Sequence, residues 1–167
     1  MNDHSLEDRK AQVGDDGAET ASLAEMRQAI EALYFAYRDF TRDADEELAQ
    51  YGFGRAHHRV IYFVGRHPGI TVSDLLALLR ITKQSLAPVL AQLVEDGFVL
   101  QRADVGDRRR RRLYLSPEAL NLERVLTEKQ ARRLRAAFAT SGSGSAEGFV
   151  RVLQAMVDRD HRADEDR

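Results

Sequence analysis

Apolar positions recur along this chain at regular intervals, and the places where the interval changes divide it into elements. Leu23, Met26, Ile30, Leu33, Tyr37, Phe40 and Ala44 follow a 3-4-3-4 spacing, with Leu48 four residues further on. That spacing predicts one long amphipathic helix with a coiled-coil-like seam. A single helix cannot bury such a seam, so partner helices are expected. Tyr51-Gly52-Phe53-Gly54 interrupts the pattern, and a second helix, roughly Arg55 to Arg66, turns Val60, Ile61 and Val64 inward. His67-Pro68-Gly69 ends it.

Thr71-Val72-Ser73-Asp74 reads as a capped helix start, because the Thr71 hydroxyl can accept from the Asp74 amide. The short helix that follows, Val72 to Leu79, is rich in leucine. After a tight turn at Arg80-Ile81, Thr82 can cap another helix to about Glu95, with Leu86, Val89, Leu90 and Leu93 at helical spacing. Asp96-Gly97 stops it. Two helices joined by so few residues predict a helix-turn-helix. Phe98 to Arg102 and Arg111 to Ser116 are strand candidates around a loop containing Gly106, which places a β-hairpin, or wing, directly after the helix-turn-helix. Ser116-Pro117-Glu118 opens a long helix to about Ala139. Ser141 to Ser145 is a Gly/Ser connector, and Phe149, Val150, Leu153, Met156 and Val157 mark a last helix.

The fold class expected is therefore mainly α with a small β-wing: a winged helix-turn-helix with N- and C-terminal dimerisation helices. The chain divides into a disordered tail (1–19), an N-terminal dimerisation helix and linker (20–54), a winged helix-turn-helix lobe (55–116), C-terminal dimerisation helices (117–158) and a charged tail (159–167).

Charge changes the picture more than composition does. The formal net charge is -2, which alone argues against a non-specific nucleic-acid coat. Yet Gln101 to Arg112 holds six arginines against Asp104 and Asp107. A focused basic patch on a nearly neutral body suits an element laid against phosphate. Asp107, Arg108, Arg109, Arg110 and Arg111 are the wing's candidates for the DNA interface. Side chains alternate between the faces of a hairpin, so the five arginines from Arg108 to Arg112 cannot all meet one target. The tip arginine is best placed for a narrow minor groove and the others for phosphates. On the preceding helix, Thr82, Lys83, Gln84 and Ser85 form an exposed first turn. Gln can pair with adenine and Lys with guanine there, and Ser with either, while Thr82 and the helix N-terminus suit phosphate.

The stretch Ile81-Thr82-Lys83-Gln84-Ser85-Leu86, then Leu93 through Val99, Asp107-Arg108-Arg109 and Leu113-Tyr114-Leu115-Ser116-Pro117 resembles the MarR family of bacterial regulators. The similarity runs from about Leu23 to Val157. The resemblance implies that Arg108 enters the minor groove and that Asp107 and Arg109 pair to shape the wing. It also implies a homodimer with one recognition helix per half-site of a pseudo-palindrome, acting mostly as a repressor. A small aromatic or phenolic effector would bind between the dimer helices and the DNA-binding lobe. Pro88 departs from the family pattern: it removes a backbone donor in the second turn of the recognition helix, and a kink or irregular first turn is expected.

Tyr34, Tyr37, His57 and His58 are the candidate effector pocket, although the aromatic cluster of Tyr34, Phe35, Tyr37 and Phe40 also fits core or dimer packing. Adjacent helical histidines diverge by about 100° and cannot easily share one metal, so no metal site or cofactor is assigned. A metal- or haem-responsive DNA-binding sensor and a winged-helix protein-interaction adaptor remain as alternatives. No Gly-rich phosphate loop, H-E-x-x-H or G-x-S-x-G is present, and an enzyme is not expected. Cysteine is absent, which fits a reducing cytoplasm. The N-terminus lacks the apolar core of a secretory signal, and no apolar run is long enough for a membrane span. The partner expected is double-stranded DNA.

Overall fold

The computed structural model describes residues 22–104, 106, 107 and 110–157. Two compact units divide the chain, Met1–Phe35 and Ala36–Arg167. The long first helix α1 (Leu23–Ala49) begins in the former, and the other elements lie in the latter: α2 (Arg55–Arg66), β1 (Ile70–Thr71), α3 (Val72–Leu79), α4 (Lys83–Glu95), β2 (Val99–Ala103), β3 (Arg111–Leu115), α5 (Pro117–Thr140) and α6 (Ser145–Met156).

Capping side chains and a left-handed glycine set several of these boundaries. The Glu25 amide donates to the Ser22 hydroxyl at 3.3 Å, and the Ser22 amide donates back to the Glu25 carboxylate at 2.6 Å. This reciprocal box starts α1. Gly52, at a φ of +69°, supplies the left-handed residue that ends it. The Ser116 hydroxyl accepts from the Ala119 amide at 3.2 Å and opens α5.

The core belongs to the second unit. Ala44 and Leu48 of α1, Val60, Ile61 and Val64 of α2, Leu75 of α3 and Leu86, Leu90 and Leu93 of α4 are buried together. Val99, Leu113 and Leu115 close it from the sheet, and Ala119, Leu122 and Leu126 from α5. The seam expected along α1 is thus not uniform. Its C-terminal positions, Ala44 and Leu48, are fully covered, whereas Leu23, Met26, Ile30 and Leu33 are 43–69% exposed. On α6, Phe149, Val150 and Met156 are also exposed, although Phe149 meets Phe138 of α5 edge-on at 5.6 Å.

The sheet has three strands in the order β1-β3-β2, all antiparallel. The strands expected from the sequence are present with ends displaced by one residue. β1, absent from the expectation, pairs Ile70 with Leu113 and Thr71 with Arg112. Two residues are too few to show a period.

Ion pairs join α5 to the C-terminal half of α1: Lys129 to Glu47 at 2.6 Å and Arg133 to Asp43 at 2.8 Å. Nearby, Arg55 of α2 pairs with Asp45 of α1 at 2.9 Å. Burial holds the His58 imidazole below its ordinary value, opposed by the carboxylates of Asp45 on α1 and Glu123 on α5. The folded state therefore prefers the neutral ring, while the unfolded chain takes up a proton near pH 6.5. The stability this confers is complete above that pH and declines as acid approaches the lower folded value. Denaturant unfolding between about pH 7.5 and 5.5 should show wild-type stability falling, and a shallower fall in His58→Gln. Equal slopes would remove His58 as the cause.

Candidate nucleic-acid interface

The geometry of α3, its turn and α4 follows from two caps and one left-handed residue. The Thr71 hydroxyl accepts from the Asp74 amide at 3.2 Å and starts α3. Arg80, at φ +49°, is the one non-glycine residue with positive φ among those described, and its amide returns to the Ala77 carbonyl at 3.2 Å. The Thr82 hydroxyl then accepts from the Ser85 amide at 3.2 Å and lies 3.0 Å from the Ser85 hydroxyl. Helix α4 runs from Lys83 to Glu95 straight through Pro88, which is exposed. The helix is unbroken at the proline.

Thr82, Lys83, Gln84 and Ser85 are all exposed, and the fold gives them different positions. At about 100° per residue, Leu86, Leu90 and Leu93 occupy the buried side and Gln84 lies opposite them. Lys83 is on one flank, beside Val72 and Gln101. Ser85 is on the other, beside Arg59 and Ile81. Thr82 and Ser85 spend hydroxyl bonding on the cap, so Gln84 is the polar side chain at the centre of the outward face.

The hairpin of β2 and β3 carries the basic run. Gln101 pairs with Leu113, Arg102 with Arg112 and Ala103 with Arg111. Beyond the strands, the Asp104 amide donates to the Arg110 carbonyl at 3.1 Å and the Arg110 amide to the Asp107 carbonyl at 2.9 Å. Arg110 and Arg111 are exposed, as is Asp107. Arg108 and Arg109 lie outside the described residues, and with them the minor-groove tip and the Asp107–Arg109 pair.

The described part of the wing is organised around Asp104, whose role the sequence reading missed. One oxygen accepts from the Gly106 amide at 2.8 Å, and the other takes both Nε and Nη2 of Arg112 at 2.6 Å. The third nitrogen of that guanidinium, Nη1, donates to the Gly69 carbonyl at 3.1 Å. One arginine of the basic run thus ties the hairpin to the segment entering β1. The Gly106 amide and Arg112 hold the Asp104 carboxyl below the ordinary carboxylate range, against partial desolvation. Arg102 stacks over the Tyr114 ring at 5.0 Å, which also removes it from the free cations.

A basic hairpin following a capped helix with an exposed outer face is the arrangement that enters DNA grooves in winged helices. A sequence model described as the MarR family matches residues 51–110. The HTH-type transcriptional regulator PetP of Rhodobacter capsulatus is 46% identical over 151 residues, spanning 89% of this chain and 91% of that one. The chain belongs to the MarR family. A MarR transcriptional regulator from Methanosarcina mazei shares the fold at a TM-score of 0.64 and 22% identity, over 78% of this chain and 94% of that one. A MarR protein from Peptoclostridium difficile does so at 0.66 and 15%, over 99% and 97%. As a MarR-family member, the protein is a DNA-binding transcriptional regulator.

The four residues singled out for an effector pocket have distinct surroundings in this MarR fold. Tyr34 is 68% exposed and meets Phe35 edge-on. Tyr37 is 58% exposed and lies beneath the Arg55 guanidinium at 5.9 Å. His57 stacks on Phe53 at 4.9 Å. Its Nδ1 faces the Gly54 amide at 3.1 Å, and its Nε2 lies 2.9 Å from Oε1 of Gln92. A backbone amide can only donate, so Nδ1 is the bare nitrogen and Nε2–H donates to Gln92. His57 thereby links α2 to the back of α4. His58, one residue on, is half-buried beside Asp45 and Glu123. Among the described residues, no group of three His, Asp or Glu side chains is arranged to hold a metal ion, and no helix is long and apolar enough to cross a membrane.

Asp104→Asn separates two effects of opposite sign. Removing a negative charge from the basic hairpin would by itself strengthen attraction to a polyanion within the ~8 Å reach of unscreened charge. Losing the Arg112 fork loosens the wing. We expect the second effect to win: weaker duplex binding, lost amide-exchange protection at Gly106, and an unchanged helical circular-dichroism spectrum. Tighter binding with protection retained would refute the tether.

Proposed function

We propose that the protein acts as a homodimer on a pseudo-palindromic operator, as a repressor whose release is controlled by a small aromatic or phenolic effector in the cytoplasm. One observation carries the DNA-reading part: the exposed outer face of α4 stands beside the basic hairpin, on one core. In this reading α4 enters the major groove, Lys83 and Thr82 meet its flanks, and Arg108 at the wing tip enters the adjacent minor groove. Asp107 and Arg109 shape the tip, and Arg110 and Arg111 meet phosphate.

The exposed apolar positions of α1 and α6 support the dimer. In this reading residues 20–54 and 117–158 supply the dimer helices, leaving 55–116 as the DNA-binding lobe. Tyr34, Tyr37, His57 and His58 support the effector part, since Tyr and His combine an apolar body with a polar tip. Such a ligand acts only through different affinities for the DNA-competent and incompetent spacings of the two lobes. Another structural relative, MepR, is named as a transcription regulator of a Staphylococcus aureus multidrug efflux pump, with a TM-score of 0.59 at 16% identity.

Ile30→Asp tests the dimer by placing a charge on the apolar face of α1. Sedimentation equilibrium should return a dimer for the wild type and a monomer for the variant, which should also lose its preference for two half-sites over one. A dimeric variant would exclude this face. Arg108→Ala tests the wing. Binding should weaken by on the order of 1–2 kcal/mol, and the preference for A·T pairs under the wing should flatten. Salt titration of the wild type should give a log–log slope near -0.9 for each phosphate neutralised. Equal affinities of variant and wild type on several duplexes would remove the minor-groove role.

A further inference from the structure

The outer face of α4 carries little hydrogen-bonding chemistry for a helix that reads DNA. Gln84, Ala87, Pro88 and Ala91 are all exposed; Gln84, Pro88 and Ala91 stand opposite the buried Leu86, Leu90 and Leu93, and Ala87 on their flank. Their spacing of i, i+3, i+4 and i+7 makes one continuous stripe. Gln84 is its sole polar side chain. Ala87 and Ala91 offer a methyl group each, and Pro88 offers a ring and no backbone donor. The stripe borders an open depression of about 240 Å³, lined by apolar side chains including Val72, with Lys83 and Gln101 its polar members.

Base edges in the major groove are mostly donors and acceptors. The thymine C5-methyl is the apolar substituent among them, and short apolar side chains are its complement. Long polar side chains reach base edges across a gap. Alanine cannot, so a helix faced with alanine gains contact only by direct apposition to methyl groups. Small residues also let the helix seat deeply, within the groove's ~12 Å width.

We propose that the stripe reads its DNA site chiefly through thymine methyl groups, covered by Ala87, Pro88 and Ala91. Gln84 is the one side chain of the stripe that hydrogen-bonds a base edge. This rests on the reading above that α4 enters the major groove. The sites preferred are therefore ones with T·A pairs beneath the second and third turns of α4, and a base contacted by Gln84 nearer the helix start.

Replacing thymine by deoxyuridine removes the C5-methyl and leaves the Watson–Crick edge unchanged. The full-length protein is first used to select duplexes from a random pool, and each thymine of the selected site is then replaced in turn. Between one and three replacements per half-site should each weaken binding about fourfold, the value of one buried methyl-sized group. The Ala87→Gly/Ala91→Gly protein, which lacks those two methyl groups and keeps Pro88, should lose the thymine preference at the pairs beneath Ala87 and Ala91 and keep it only beneath Pro88. The Ala87→Ser/Ala91→Ser protein, which retains both β-carbons, is the control that keeps all of it. Indifference of the wild type to every replacement overturns the inference while leaving groove entry by α4 standing. Failure to select any duplex over the pool overturns both.

Discussion

The inward face of α4 governs what its outward face can present. Leu86, Leu90 and Leu93 are buried against a core that includes Val60, Ile61 and Val64 of α2. Full burial of a leucine is worth about 1.5–3 kcal/mol, so rotating the helix by one residue would forfeit several such terms at once. At about 100° per residue, that lock also fixes which side chains look outward. No hydrogen bond on the outer surface competes on this scale, and the outward face is in effect a consequence of the core. His57 adds a polar lock from behind, since its fixed tautomer donates to Gln92 one turn before the helix ends.

The wing obeys a different constraint. A run of arginines repels itself, and the exposed outer ends of β2 and β3, Arg102, Ala103, Arg111 and Arg112, have no core to hold them. Asp104 answers both problems by taking two guanidinium nitrogens of Arg112 and the Gly106 amide, while Arg112 reaches the Gly69 carbonyl. Arg102 is drawn onto Tyr114. Two of the six arginines are thus structural. The charge facing a nucleic acid is smaller than the sequence total suggests and better placed.

Much of this was legible in the sequence, and the exceptions share a cause. Helical spacing and local caps such as Thr71, Thr82 and Ser116 act within a few residues, so a linear reading finds them. The Asp104–Arg112 fork spans eight residues and depends on hairpin register, which arginines on both strands leave ambiguous. β1 is two residues long and exists only through its partners Leu113 and Arg112. The α1 seam was read as one feature because periodicity reports that a face is apolar without saying what covers it. Ala44 and Leu48 are covered by this chain, while Leu23 and Ile30 stay exposed. Pro88 lies inside a continuous α4 on its exposed side, where it costs the helix one backbone donor.

α1 and α5 share the apolar core through Ala44, Leu48, Ala119, Leu122 and Leu126, and carry contacts of a second kind at its margin. Below α4 the packing is leucine, valine and isoleucine, which rearrange only by opening voids. Across α1, α2 and α5, charged pairs sit on the partly exposed margin: Glu47–Lys129, Asp43–Arg133 and Asp45–Arg55. Such pairs exchange partners with water at small net cost, and one oxygen of Asp45 is buried without a partner. A ligand that favours one spacing of two lobes must deform something, and its binding energy is limited. Deformation of the ion-paired margin is the cheaper course, because it leaves the leucine lock on α4, and hence the outward face, intact. Under the effector control proposed above, strain placed on the ion-paired margin would spare the apolar packing that sets the outward face of α4.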